Sequence, residues 1–133
     1  MQLSIVVPVL NEAQTIPLLL SSLHEALRNV TWEVIFVDDG STDDTWAVLE
    51  RSAFTDSHVK MLRFSRNFGH QAAVTAGLRE CSGRCAVVID ADLQDPPQTI
   101  QQMVEIWDNG FDVVYAVRRK RGFAVGKQCR RDA

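Results

Sequence analysis

Four times in its first 110 residues the chain runs a short apolar segment straight into the stripe of an amphipathic helix, and this alternation restricts the fold more than any other feature. "LSIVVPVL", Leu3 to Leu10, is an almost continuous apolar run rich in β-branched residues, as a strand covered on both faces requires. Ile16, Leu19, Leu20, Leu23 and Leu27 then fall on one helical stripe, with Thr15 or Asn11 expected as N-cap and Pro17 in the first turn. "WEVIFV" (Trp32 to Val37) predicts a second strand, followed by a helix that Ser41 and Asp44 cap reciprocally. "VKMLRFS" (Val59 to Ser65) predicts a third strand, and Ala72, Ala73, Ala76 and Gly77 a close-packing face on the helix behind it. "CAVVIDADL" (Cys85 to Leu93) predicts a fourth strand and "FDVVYAV" (Phe111 to Val117) a fifth. Between them lies a helix opened by Pro96-Pro97 and stopped near Gly110.

Strands joined by single helices and short turns predict an α/β fold, a mostly parallel sheet with helices on both faces. A length of 133 residues with 46% hydrophobic composition suits one core. We expect residues 1–117 to form that domain and residues 118–133 a basic tail, since the tail holds 7 of the 14 Lys and Arg residues but 1 of the 17 acids. By composition the tail reads as a solvated, frayed end, with an approach to phosphates or an anionic membrane surface as the alternative. The acidic remainder argues against nucleic acid binding by broad attraction. No apolar run approaches the roughly 18 residues of a membrane span, and the N-terminus does not read as a signal peptide. Three cysteines, an odd number without zinc-knuckle spacing, are expected to be reduced thiols, which points to a cytoplasmic chain.

In such sheets ligands bind beyond the carboxyl ends of the strands. The polar clusters all stand there: Asn11-Glu12, Asp38-Asp39-Gly40-Ser41, Arg66-Asn67-Phe68-Gly69 and Asp90-Ala91-Asp92. Strand alternation puts Asp90 and Asp92 on one side, beside Gln94 and Asp95, as hard oxygen ligands for a metal-bound diphosphate. The same aspartates also read as turn formers and a helix cap. Asp39 reads either as an acceptor for a ribose or base or as an ordinary turn residue. Glu12 suits a first helical turn. Arg66 reads as a phosphate clamp and Gly69 as a point of close backbone approach, or both as parts of a polar turn.

Taken in order, "VVPVLNE", "VDDGSTDDT", "RNFGHQAAVTAGL" and "DADLQDPP" resemble the family-2 glycosyltransferases, most nearly the polyprenyl-phosphate branch, from about Leu3 to Arg121. The resemblance implies a GT-A, Rossmann-like nucleotide-sugar fold, here its donor half. It implies Mg2+ or Mn2+ at the Asp-x-Asp motif, with Asp90, Asp92 and Gln94 as ligands. Pro8, Leu10, Glu12, Val37, Asp39 and Ala91 would surround a UDP- or GDP-sugar donor, although many relatives carry an aromatic residue where Leu10 stands. Asp92 and Asp90 would serve the inverting transfer, and Arg118 and Arg121 an acceptor polyprenyl phosphate or the diphosphate. A peripheral place at the cytoplasmic face of a membrane would follow. Relatives continue well beyond the position where "GFAVGKQCRRDA" ends, so a truncated chain that binds nucleotide and metal without efficient transfer is the competing expectation.

Overall fold

The computed structural model describes residues 1–93, 97–119 and 122–130, with backbone alone from residue 112 onward. The chain divides into two compact units, Met1–Gln94 and Asp95–Ala133.

The first unit is built on four parallel strands, β1 (Leu3–Val9), β2 (Trp32–Asp38), β3 (Val59–Arg63) and β4 (Cys85–Val88), in the order β3-β2-β1-β4. The two central strands are buried along almost their whole length, which is why their sequences are apolar without alternation. Helix α1 (Thr15–Ala26) follows β1, α2 (Thr45–Thr55) follows β2 and α3 (His70–Arg79) follows β3. The chain steps one way along the sheet from β1 to β3 and then returns past β1 to β4. With right-handed crossovers this places α1 and α2 on one face and α3 on the other.

Packing follows the apolar stripes. Ile16, Leu19, Leu20 and Leu23 of α1 are buried as their spacing predicts. On the opposite face, Ala73 packs in a cluster with Ile35 and Val37, and Gly77 lies so close to β1 that a Cβ there would stand 2.4 Å from Val6 Cγ1. The small-residue face of α3 therefore sets its approach to the sheet; within it Ala73 and Gly77 are buried and Ala72 and Ala76 half-buried.

The expected caps differ. Neither α1 nor α2 has a side-chain hydrogen bond from its N-cap residue, which are Gln14 and Asp44. Asp43 does the work at α2 by accepting from the Thr45 N–H at 2.9 Å, while Ser41 Oγ accepts from the Asn11 N–H. Asn11 Oδ1 in turn accepts from the Thr42 N–H at 2.9 Å, so the residues expected to cap helices instead tie one strand-end loop to another.

At the amino end of the sheet, Glu33 is buried and Oε1 accepts hydrogen bonds from Ser4 Oγ (2.7 Å), the Ser82 N–H (2.8 Å) and Ser82 Oγ (2.7 Å). Lys60 Nζ lies 2.5 Å from its other oxygen, an ion pair without good hydrogen-bond alignment. This joins β1, β2, β3 and the turn before β4.

The second unit holds α4 (Pro97–Asp108), packed against an antiparallel hairpin of β5 (Phe111–Arg119) and β6 (Gly122–Arg130). The segment that composition alone leaves as a frayed end is thus largely a strand, because pairing with β5 satisfies its backbone. Gly110, at φ 106°, ends α4 as expected. Among the described residues no helix is long and apolar enough to cross a membrane.

Candidate donor and metal site

The strand order places a topological switch point between β1 and β4, where connections leave in opposite directions and a crevice opens at the carboxyl ends. A cavity of about 400 Å³ sits there, lined by Pro8, Val9, Leu10 and Glu12 after β1, Asp39 after β2, Asn67, Gly69 and His70 at the start of α3, and Asp90, Ala91 and Asp92 after β4. All four polar clusters foreseen in the sequence contribute to its surroundings.

Each wall has a local cause. Asp39 is buried, and its carboxylate accepts from the Phe68 N–H at 2.7 Å and the Gly69 N–H at 3.1 Å. It thereby pins the loop before α3 against the end of β2, and its remaining lone pairs are what it has to offer a ligand. Gly40, at φ 81°, lets that loop approach: a Cβ there would stand 2.6 Å from Arg66 C and Asn67 N. Asp38 turns away from this work, its Oδ1 accepting from the Ser41 N–H at 2.9 Å. Glu12 is held by the first turn of α1, where Oε2 accepts from Thr15 Oγ1 at 3.0 Å, and its own N–H donates to Thr45 Oγ1.

Asp90 and Asp92 do share one side, but not through strand alternation. β4 ends at Val88; Ile89 still donates to Val6 O, and the chain then turns, burying Ala91 and leaving both aspartates exposed. Just beyond, Leu93 adopts φ 64°, a left-handed conformation that costs about 1–2 kcal/mol for a residue with a Cβ. Strain of this kind gathers at functional sites.

Of the remaining sequence candidates, Val37 is fully buried in the core cluster with Ile35 and Ala73 and does not line the cavity. Arg66 stands over the Phe68 ring, 4.6 Å from its centroid, also outside the lining. Arg118 lies in β5 of the second unit. Gln94 and Arg121 lie outside the described residues. Val9 and His70 also line the cavity, as does Asn67 of the third polar cluster. Asn67 and His70 belong to the "RNFGH" block, and their place at the opening of α3 was the available signal.

A divalent cation fits this donor set. Glu12, Asp39, Asp90 and Asp92 supply four carboxylates to one cavity, and no lysine or arginine lines it among the described residues. Hard oxygen donors of this kind suit Mg2+ or Mn2+.

Residues 4–132 match the model of "Glycosyl transferase family 2". The chain belongs to this family. The family-2 chain is 49% identical over 122 residues to the uncharacterized glycosyltransferase YkcC of Bacillus subtilis, covering 90% of this chain and 38% of the relative. It is 41% identical over 121 residues to the undecaprenyl-phosphate 4-deoxy-4-formamido-L-arabinose transferase of Pseudomonas syringae, covering 89% of this chain and 36% of that one. The mannosyltransferase of Pyrobaculum calidifontis, solved in complex with GDP-Man and Mn2+, superposes with a TM-score of 0.77 at 27% identity, covering 90% of this chain and 36% of that structure. The family-2 chain thus spans well under half the length of the relatives it matches, and its mostly parallel sheet with helices is that of its GT-A neighbours.

Proposed function

We propose that this family-2 chain forms the donor-binding part of a glycosyltransferase that moves a sugar from a UDP- or GDP-sugar to a polyprenyl phosphate, with inversion and dependence on Mg2+ or Mn2+. The observation that carries the reading is that four acidic residues, Glu12, Asp39, Asp90 and Asp92, line one cavity at the switch point with no lysine or arginine among the described lining residues. An anionic diphosphate has no reason to enter so acidic a cavity alone, and every reason to enter with a divalent cation. Asp90 and Asp92 are the proposed metal ligands, with Gln94 beside them in sequence. Asp39, Glu12, Leu10, Pro8, Gly69 and Ala91 are the proposed donor contacts. The relative named as an undecaprenyl-phosphate 4-deoxy-4-formamido-L-arabinose transferase, and the neighbour that holds GDP-Man with Mn2+, support the two halves of the assignment.

The chemistry asks little of a general base. A lipid phosphate monoester has its second pKa near about 6, so its oxygen is already anionic when it attacks the sugar C1. A C1–O bond forms as the bond from C1 to the nucleoside diphosphate breaks, from opposite faces. When bound, the cation supplies charge stabilisation to the departing diphosphate. Pro8 and Leu10 give the donor an apolar wall, Asp39 orients a hydroxyl or base N–H, and Glu12 completes the acidic lining. Arg118 and Arg121 are proposed to hold the acceptor phosphate, and a lipid acceptor would put the transfer at a membrane surface.

Calorimetric titration with UDP and with GDP, each with and without Mn2+, tests the donor half. Binding should require Mn2+ and fall by at least about tenfold in Asp92→Ala. Equal binding without the metal, or an unaffected Asp92→Ala, would overturn the assignment. Sugar transfer to a polyprenyl phosphate in the presence of Mg2+ tests the rest, and donor binding without any transfer would reduce this chain to a binding domain.

A further inference from the structure

At the opposite, amino end of the sheet, three side chains converge that the proposed transfer does not use. His24 stands in the last turn of α1, Asp56 is the C-cap of α2, and His58 precedes β3. His24 Nε2 lies 2.6 Å from Asp56 Oδ2, and His58 Nδ1 lies 2.9 Å from Asp56 Oδ1. One donor atom from each of the three residues falls within 4.8 Å of the others. We propose that His24, Asp56 and His58 form a second cation site, for Zn2+ or a similar transition metal, which staples the end of α1 to the turn between α2 and β3.

The cluster is held in place before any metal arrives. The His58 N–H donates to Asp56 Oδ1 at 2.9 Å, and the Asp56 N–H closes the end of α2 on Ser52 O. Trp32 stacks on the His58 ring at 4.2 Å and 21°, and His24 meets both rings edge-on at 5.0 and 4.8 Å. Both imidazole nitrogens therefore face one carboxylate from fixed directions, with the Trp32 ring behind them. The His24 and His58 side chains remain 45% and 35% exposed, so an ion has access from solvent.

The donor set selects the metal. Two imidazole nitrogens and one carboxylate oxygen suit Zn2+, whereas Mg2+ prefers oxygen alone. Tetrahedral Zn2+ with bonds of about 2.0–2.1 Å sets its ligands about 3.3 Å apart, within reach of side-chain rotations of about an ångström here. Binding exchanges the imidazole protons that now face Asp56 for the metal and leaves a fourth position for water. The proposed ligands at the carboxyl end, Asp90 and Asp92, are carboxylates, so the two ends of one sheet would take different metals.

The test uses the whole 133-residue chain after chelator treatment, with Zn2+, Co2+ and Mg2+ added separately. One equivalent of Zn2+ should bind and raise Tm by roughly 5–10 °C at about 100 times its Kd. Co2+ should develop the intense visible bands of a low-coordinate site, and any effect of Mg2+ should be the same in the histidine variants as in the unsubstituted chain. His24→Ala at an exposed position and His58→Ala at a half-buried one should each abolish the Co2+ bands and the Tm shift. The double substitution Asp90→Asn with Asp92→Asn should keep them, which separates this site from the proposed donor site. Absence of a stoichiometric Zn2+ event, or a Zn2+ event that survives both histidine substitutions, would overturn the proposal and show the triad to be a hydrogen-bonded network only.

Discussion

Replacing Glu33 with glutamine separates the electrostatic support of this sheet from its packing. Burial alone would raise the Glu33 pKa, but the Lys60 ammonium, the Ser82 N–H and the hydroxyls of Ser4 and Ser82 outweigh it and hold the carboxyl at about 2, down from 4.5. A shift of that size corresponds to about 3 kcal/mol of stability near neutral pH. Lys60 is half exposed, so solvent screens part of the attraction and about 2 kcal/mol is the better expectation. The folded pKa lies below the unfolded one, so the stabilisation is complete above about pH 4.5 and fades as the pH falls through about 2. Glutamine keeps an oxygen for Ser4 and Ser82 but loses the charge. Urea unfolding followed by tryptophan fluorescence should therefore find Glu33→Gln about 2 kcal/mol less stable at pH 7, with the gap roughly halved by pH 3. A gap under about 0.5 kcal/mol at pH 7, or one of equal size at pH 3, would refute the reasoning.

Asp39→Asn should loosen the loop before α3, because an amide nitrogen replaces one oxygen that now accepts from a backbone N–H. We expect a loss of about 1–3 kcal/mol and faster hydrogen exchange at the Phe68 and Gly69 amides, with exchange elsewhere little changed. Gly77→Ala drives a methyl group into Val6 and should lower stability by about 1–3 kcal/mol, read as a fall in Tm. Gly40→Ala meets both a positive φ and the Arg66–Asn67 backbone, so it should weaken Mn2+-dependent nucleotide binding more than Gly77→Ala does, measured by titration.

The parallel sheet was legible because its central strands are buried on both faces and carry near-continuous apolar runs, while α1 carries its core stripe at helical spacing. The convergence of the polar clusters was legible for a topological reason, since every strand in a parallel sheet delivers its end to the same edge. Local caps were harder. Asn11 and Ser41 are 30 residues apart, and nothing in either stretch says that they bond each other rather than a nearby helix N-terminus. Glu33 was hidden for the same reason. Its partners Ser4, Lys60 and Ser82 come from three separate segments, and only the strand register assembles them. The His24–Asp56–His58 group required both α1 and the β3 entrance to be placed before it existed as a cluster.

The acidic lining of the cavity also bears on the thermodynamics of the proposed donor site. A cation held by these carboxylates would neutralise part of the negative charge that a diphosphate meets, and a diphosphate that shares the cation would tighten its hold. By linkage, the factor by which Mn2+ raises nucleotide affinity equals the factor by which the nucleotide raises Mn2+ affinity. The two ligands then behave as one cooperative pair, and neither is retained well alone. In the proposed reaction, departure of either partner would loosen the other, so the coupling that brings the donor in would also help release the spent nucleotide.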